Sequence, residues 1–358
     1  MKVIQVIPMF ALAGAEIMCE NLIYGLLKDN VEVVAVSLYH YHSIITQRLE
    51  TAGVKIIYLN KKYGFDTSIY EKLYKVLREE RPDVVHTHLR TIKYAIPAAI
   101  RAKVRCRVYT VHNLAEKEGG KVERLLNKIF FKSCATIPVA LSGIIKKSVL
   151  ETYKLKDDKV PIIFNGVDLG KCMPKVNYAY KEKLKILHIG RFMGQKNHQD
   201  LIKAFALFHK KYPQSILQLI GEGEKREETE GLVRALGLLD CVEFLGLQSN
   251  VYQYLYEADI FTLTSLYEGM PITLIEAMGT GLPIVATNVG GVPDMLTNEE
   301  SALLTDVSAE VIAAAFYRLA TDEILRAFLG SNAKKRSVIY SNENMTKNYL
   351  QIYEVNIK

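Results

Sequence analysis

Cysteine is scarce and scattered. The five residues, at 19, 106, 134, 172 and 241, form an odd set with no C-x-x-C pair, which argues against a zinc site and for a reducing compartment. No apolar run reaches the length needed to cross a bilayer. The opening MKVIQVIPMF has one lysine, a proline inside its apolar run and an acid soon after, Glu16. A short strand is therefore expected there instead of a secretory leader. The three-glycine dinucleotide fingerprint is missing, and no acid closes the expected strand 32–38, which runs instead into Tyr39, His40, Tyr41 and His42. Both absences count against a nicotinamide-binding domain. The chain also lacks a D-x-D pair, an arrangement of carboxylates that holds a divalent cation.

What is present fits a two-domain α/β protein. At 358 residues the chain exceeds the size at which a single core usually stops growing. With 49% hydrophobic and 24% charged residues it can bury a sizeable core without disorder. Residues 1–165 hold 26 Lys and Arg against 16 Asp and Glu, a net of +10, and the remainder 20 against 23, a net of −3, which gives the chain its +7. That asymmetry favours an anionic surface, such as an inner membrane leaflet or a phosphate-bearing ligand, although solvated helix faces account for it equally well. Strands are expected at 3–7, 32–38, 55–59, 83–86, 107–111 and 135–140, with helices at 14–28, 69–81, through 97–102 and from Ser142 to Tyr153. A second series follows, with strands at 184–189, 215–220, 242–245, 259–263 and 283–286 and helices at 197–211, 227–236, 309–319, 322–340 and 344–356. Alternation of this kind predicts two doubly wound parallel sheets. Residues 1–166 form the expected first domain, 167–183 (through LGKCMPKVNYAYKEK) a linker of little periodicity, and 184–340 the second domain, with 341–358 as a helix that crosses back to the first. The basic amphipathic stretch 117–131 is expected to pack its apolar side on its own sheet, a membrane surface being the alternative.

The most informative stretch is 264–286, TSLYEGMPITLIEAMGTGLPIVA. Pro271 has the φ of a first helical residue, Ile272, Ile275 and Met278 recur at helical spacing, and Gly279 and Gly281 before Pro283 stop the helix. With strands on either side the unit is βαβ, and its ligand edge is the loop after the first strand. There the backbone N–H groups of Gly269, Met270, Pro271-flanked Ile272 and Thr273, and the positive helix end, can hold an anion. Glu268 precedes the helix, and Glu276 lies inside it among Leu274, Ile275, Ala277 and Met278. A carboxylate in such apolar company needs a partner, and sugar hydroxyls are a natural one. Upstream, Gly190, Arg191 and Lys196 follow a strand and precede a helix, two cations suited to a diphosphate. His112 lies just past the carboxyl end of a strand, on the ligand edge of its sheet.

The frame E-G-M-P-I-T-L-I-E resembles the E-x7-E signature of glycosyltransferase family 4, the retaining, nucleotide-sugar-dependent transferases of GT-B fold. G-R-x-x-x-x-K at 190–196, YTVHN at 109–113 and NGVD at 165–168 resemble further motifs of that family. The resemblance is strong in the second half and scattered in the first. It departs where Ala13 replaces the first of two adjacent glycines before Gly14, where Asp294 stands for a usual Glu, and where Glu300, Ser301 and Ala302 replace a glycine-rich turn.

By resemblance Arg191 and Lys196 clamp the donor diphosphate, Gly14 lies near the phosphates and the acceptor, and Gly246 and Leu247 seat the nucleobase. His112 faces the donor sugar, Glu268 meets the sugar and Glu276 the ribose. The activity implied is transfer of a hexosyl or N-acetylhexosaminyl group from a nucleotide sugar, UDP-linked by preference, to a glycan or polyprenyl-linked glycan. It proceeds with retention, without a metal or other cofactor and without a glycosylated carboxylate, at the cytoplasmic side of the cell. Peripheral contact with the inner leaflet is one expectation, and no nucleic-acid partner is expected. The other readings are a nicotinamide oxidoreductase on paired Rossmann domains and a non-catalytic sugar-nucleotide binding protein.

Overall fold

The computed structural model describes residues 1–179 and 182–357. Tyr180 and Lys181 of the expected linker, and Lys358 of the expected closing helix, lie outside the described residues. The chain forms two compact units: Met1–Val167 together with the chain from Asn342 onward, and Asp168–Ser341.

The first unit is built on β1 (Lys2–Ile7), β2 (Glu32–Ser37), β3 (Lys55–Tyr58), β4 (Val84–His88), β5 (Cys106–Val111) and β6 (Thr136–Ala140). They lie in the order β3-β2-β1-β4-β5-β6, and every adjacent pair is parallel. The inner strands β1, β2 and β4 are short runs rich in β-branched residues and largely buried, as helices on either side of a parallel sheet require, while the edge strand β3 is only half-buried. Because β1 feeds β2 on one side and β4 lies on the other, the order reverses between β1 and β4, and ligands bind parallel sheets at the carboxyl ends beside such a reversal.

The second unit repeats the plan with β7 (Leu184–Ile189), β8 (Ser215–Ile220), β9 (Val242–Gly246), β10 (Ile260–Leu263), β11 (Ile284–Thr287) and β12 (Leu303–Thr305), in the order β12-β11-β10-β7-β8-β9. Its reversal falls between β7 and β10, which places the loops after Ile189 and Leu263 side by side. Phe205, Phe208 and Phe316 close the core between the His198–Lys211 and Ala309–Thr321 helices. Each fully buried ring contributes about 1.5–3 kcal/mol.

Several expectations change in detail. Pro271 is not the first helical residue: its ψ of 122° is extended, so it caps the Ile272–Thr280 helix from outside. Gly279 lies within that helix, and Gly281 alone ends it, at φ 79°. The stretch at 117–131 becomes the Lys121–Ser133 helix, which buries Phe130 and Phe131 but leaves Val122, Leu125 and Ile129 exposed, at 72%, 59% and 45%. Only part of its apolar surface therefore packs on the sheet. The Ile44–Thr51 helix, capped by Ser43, and the one-turn Tyr252–Glu257 helix were not anticipated from periodicity.

The segment after Val167 is held along the second unit. Lys175 donates its backbone N–H to Thr280 O at 2.8 Å and its ammonium to Ala258 O at 2.6 Å, and Tyr178 Oη donates to Gly281 O at 2.8 Å. The Asn342–Ile357 helix belongs to the first unit, where Tyr353 Oη lies 2.6 Å from His86 Nδ1 and Tyr349 Oη lies 2.8 Å from Thr110 Oγ1.

Candidate active site

In the second unit the loops after β7 and β10 meet, and they bring Lys196 and Glu268 together. Lys196 Nζ donates to Glu268 Oε1 at 2.6 Å, and Ser265 Oγ donates to the same oxygen at 2.5 Å. The Glu268 side chain is 6% exposed and that of Lys196 16%. A carboxyl group this deep needs polar partners, and here an ammonium and a hydroxyl stand where its water would be. Gly290 fixes the backbone beneath it. At φ +57°, a conformation side chains other than glycine's rarely adopt, a Cβ on Gly290 would collide with the Glu268 carbonyl oxygen. That oxygen accepts a hydrogen bond from Gly291 N at 3.1 Å, so the loop carrying Glu268 is clasped by the turn after β11.

Gly190 and Arg191 begin the loop after β7, and Arg191 is exposed. Gly221 and Gly223, a G-x-G too short to weigh by itself, are required by close approach. A Cβ on the first would strike the Gly190 carbonyl oxygen, and one on the second the Phe192 carbonyl oxygen. Gly221 N in turn donates to Gly246 O at 2.9 Å, so the expected diphosphate loop and the expected base-binding turn are tied through one residue. Leu247 beside it is 56% exposed.

Glu276 lies within the Ile272–Thr280 helix, itself buried along its length, and is 6% exposed. Burial pushes its carboxyl up to about 7, against the opposing effect of a hydrogen bond from Tyr252 and the positive charge of Lys171. Tyr252 was not singled out in the sequence. It stands on the Tyr252–Glu257 helix, 24 residues before its partner, with no spacing pattern to link the two.

The first unit has its own carboxyl edge. His112 follows β5 and is partly buried, and burial holds its imidazole down to about 3. Its Nε2 lies 3.1 Å from Nδ1 of His88, the last residue of β4. Glu118, also missed by sequence reasoning, folds back over the strand end: its Oε1 accepts from the backbone N–H of His112 at 2.6 Å and of Asn113 at 3.2 Å, and Tyr109 Oη donates to its Oε2 at 2.6 Å. Burial raises the Glu118 carboxyl to about 7 despite these donors. Gly14 opens the Gly14–Lys28 helix in an exposed position, with open space where a Cβ would stand. Helix formation there, not crowding, is what the structure shows for this residue. Among the described residues no cluster of three or more His, Cys, Asp or Glu side chains could hold a metal ion.

The arrangement can bind an anion beside Lys196 and Arg191, and offers two carboxylates to hydroxyl donors. Residues 173–336 match the family model of glycosyl transferases group 1, and residues 12–171 match that of Glycosyltransferase Family 4. Among curated proteins the chain is 30% identical to an Escherichia coli UDP-Gal:alpha-D-GlcNAc-diphosphoundecaprenol alpha-1,3-galactosyltransferase, over 74% of this chain and 73% of that protein. It is 29% identical to the Bacillus anthracis N-acetyl-alpha-D-glucosaminyl L-malate synthase, over 81% of this chain and 79% of that protein. Among solved structures, Anabaena Alr3699/HepE in complex with UDP and glucose superposes with a TM-score of 0.87 at 18% identity, covering 99% of each chain. Staphylococcus aureus TarM, in complex with Fondaparinux, alpha-GlcNAc-glycerol and UDP, gives 0.80 at 13% identity over 98% of this chain and 99% of that one. The two parallel six-stranded sheets are thus those of the GT-B fold, and neither the oxidoreductase nor the non-catalytic reading finds support. With a relative at 30% identity over nearly three quarters of both chains, and family models matching each half, this chain belongs to glycosyltransferase family 4.

Proposed function

We propose that this glycosyltransferase moves a hexosyl or N-acetylhexosaminyl group from a UDP-sugar to a glycan or lipid-linked glycan acceptor in cell-surface polysaccharide synthesis. The observation that carries the reading is the pair of buried acids on one βα unit. Glu268 is matched to Lys196, and Glu276, among the described residues, to the Tyr252 hydroxyl and the field of Lys171. Ribose hydroxyls satisfy Glu276, and a diphosphate draws Lys196 and Arg191, freeing Glu268 to accept from sugar hydroxyls. The names of the relatives supply the donor and acceptor class: the Escherichia coli protein uses UDP-Gal and a diphosphoundecaprenol-linked acceptor.

In the mechanism we infer, substitution occurs on one face of the sugar. The bond from the anomeric carbon to the leaving phosphate oxygen breaks, the bond to the acceptor oxygen forms, and the acceptor proton passes to the departing phosphate oxygen. Lys196 and Arg191 carry the charge that develops, in place of a divalent cation. His112 addresses the donor sugar, as the family resemblance implies. The product keeps the anomeric configuration of the donor, and no enzyme carboxylate is glycosylated. Catalysis occurs at the cytoplasmic face, with the first unit against anionic lipid. The exposed Val122, Leu125 and Ile129 on a helix that also carries Lys121 and Lys128 support that contact. Among the described residues no helix is long and apolar enough to cross a membrane.

A thermal-shift screen of nucleotide sugars identifies the donor, and proton NMR of the fresh product reads its anomeric configuration. Turnover should survive EDTA. An inverted product, or activity abolished by chelator and restored by Mg²⁺ or Mn²⁺, overturns the mechanism. Flotation with anionic but not neutral vesicles is the expected result for the lipid contact, and equal flotation with both refutes it.

A further inference from the structure

Three side chains stand in line across neighbouring strands of the first sheet. Gln5 of β1 and His88 of β4 are fully buried, and His112 follows β5. Gln5 Oε1 lies 2.8 Å from His88 Nε2, and His88 Nδ1 lies 3.1 Å from His112 Nε2. With the Gln5 amide oriented as in the structure, its oxygen faces His88 and has no proton to give, so His88 carries its hydrogen on Nε2. Burial keeps both rings neutral at physiological pH. A neutral imidazole has one N–H, so His88 Nδ1 is a lone pair, and the hydrogen between the two rings belongs to His112 Nε2. One atom is left: His112 Nδ1, a bare acceptor. It has no partner among the described residues and is not one of the buried unsatisfied atoms, so it is open to a ligand.

We propose that Gln5 and His88 are positioning residues that lock His112 as the Nε2–H tautomer, so that the group it meets on the bound sugar is a hydroxyl, and a carboxylate at the same place is refused. The substrate class is a neutral hexose or N-acetylhexosamine, not a uronic acid. A hydroxyl hydrogen completes Nδ1. A carboxylate would bring lone pair to lone pair, beside a Glu118 carboxyl that already takes the His112 backbone N–H. The assignment rests on the reading that His112 faces the sugar, and the experiment separates the two.

The full chain labelled with ¹⁵N is studied by long-range imidazole correlation NMR, with His112 identified by the signal missing from His112→Asn. Three results are expected. His112 shows the Nε2–H pattern in the free protein. Its Nδ1 resonance moves upfield with a saturating UDP-sugar and stays in place with UDP alone. The uronic-acid counterpart of the accepted donor is turned over at least a hundredfold less efficiently. An Nδ1–H pattern, which the opposite orientation of the Gln5 amide would produce, or an imidazolium, overturns the tautomer lock. An Nε2–H pattern with no Nδ1 movement on sugar binding leaves the lock standing but overturns the hydroxyl assignment and, with it, the placing of His112 at the sugar.

The same readout follows the positioning residues. Gln5→Leu should give a mixture of tautomers and a roughly tenfold fall in kcat/KM, while Gln5→Glu, which keeps an acceptor at that place, should restore the single tautomer. A Gln5→Leu spectrum identical to that of the native chain refutes the role of Gln5. The wild-type spectrum decides the tautomer even if a variant fails to fold.

Discussion

Nucleotide-sugar affinity should titrate with Glu276. Burial raises its carboxyl from 4.5 to about 7, so near neutrality the unliganded protein carries a proton there about half the time. Ribose hydroxyls bind the ionised form better, as donors to a charged acceptor, and binding should expel that proton. One pH unit below the pKa about a tenth of the carboxyl is ionised, so the dissociation constant at pH 6 should be about tenfold weaker than its plateau above pH 8, or ~1.4 kcal/mol. A nucleotide diphosphate sugar is the right ligand, because its esterified diphosphate does not titrate in this window as the terminal phosphate of UDP does. Isothermal titration calorimetry in buffers of different ionisation enthalpy should find nearly one proton released per site at pH 6 and almost none at pH 8.5. Glu276→Gln should abolish the release and flatten the pH dependence, with binding about 1.5–3 kcal/mol weaker than the native plateau. The unliganded protein carries the opposite sign. Between the ordinary carboxyl range and pH 7 the folded state holds a proton that the unfolded state has lost, so this group's contribution to stability falls as pH rises through that window. A native slope that survives in Glu276→Gln, or no slope at all, would refute the assignment of Glu276 to the ribose.

Three further outcomes follow from named contacts. Tyr252→Phe removes the hydroxyl that favours the ionised Glu276, so the midpoint of the same pH profile should move to higher pH, and an unmoved midpoint would show that the hydroxyl does not act on Glu276. Gly290→Ala forces a methyl group into the Glu268 carbonyl at a left-handed φ, and should cost about 1–2 kcal/mol in conformational strain alone. Its kcat/KM should fall tenfold or more with secondary structure retained by circular dichroism, and native kinetics would contradict the clasp. Lys196→Ala strands the Glu268 carboxylate at 6% exposure and should lower stability by about 3–5 kcal/mol in denaturant unfolding. Lys196→Ala with Glu268→Gln should recover much of that loss, and a double variant no more stable than the single one would argue against the ion pair.

Where the candidate residues lie was largely legible, because they stand where short motifs end short strands. Arg191 and Lys196 follow β7, Glu268 follows β10 and His112 follows β5, and in a parallel sheet each of those places is a carboxyl edge. The apolar neighbours of Glu276 in the sequence imply the burial that the structure shows. What stayed hidden depends on contacts between segments far apart in sequence. Nothing local to Tyr252 points to Glu276, and Gly290 closes over Glu268 from the next βα turn. Gln5 lies in the expected strand 3–7 and His88 just past the expected strand 83–86, and strand periodicity does not report which polar atoms face one another. The Lys121–Ser133 helix shows the complementary limit: periodicity reveals an apolar face but not how much of it the sheet can cover, and here Phe130 and Phe131 fill the available surface while Val122, Leu125 and Ile129 do not. Pro271 fell one position outside its helix because a fixed φ suits both the cap and the first turn, and only ψ separates them.

The Asn342–Ile357 helix has a consequence for how the chain is made. Its tyrosines complete the buried polar contacts of His86 and Thr110, and Thr346 packs against Gly25 where a side chain would leave no room. The first unit therefore lacks one of its walls until the ribosome has translated all of Asp168–Ser341. The second unit, by contrast, is continuous in sequence. Completing the first unit joins segments far apart in the chain, His86 to Tyr353 at a separation of 267 and Thr110 to Tyr349 at one of 239, long-range contacts of the kind that slow folding.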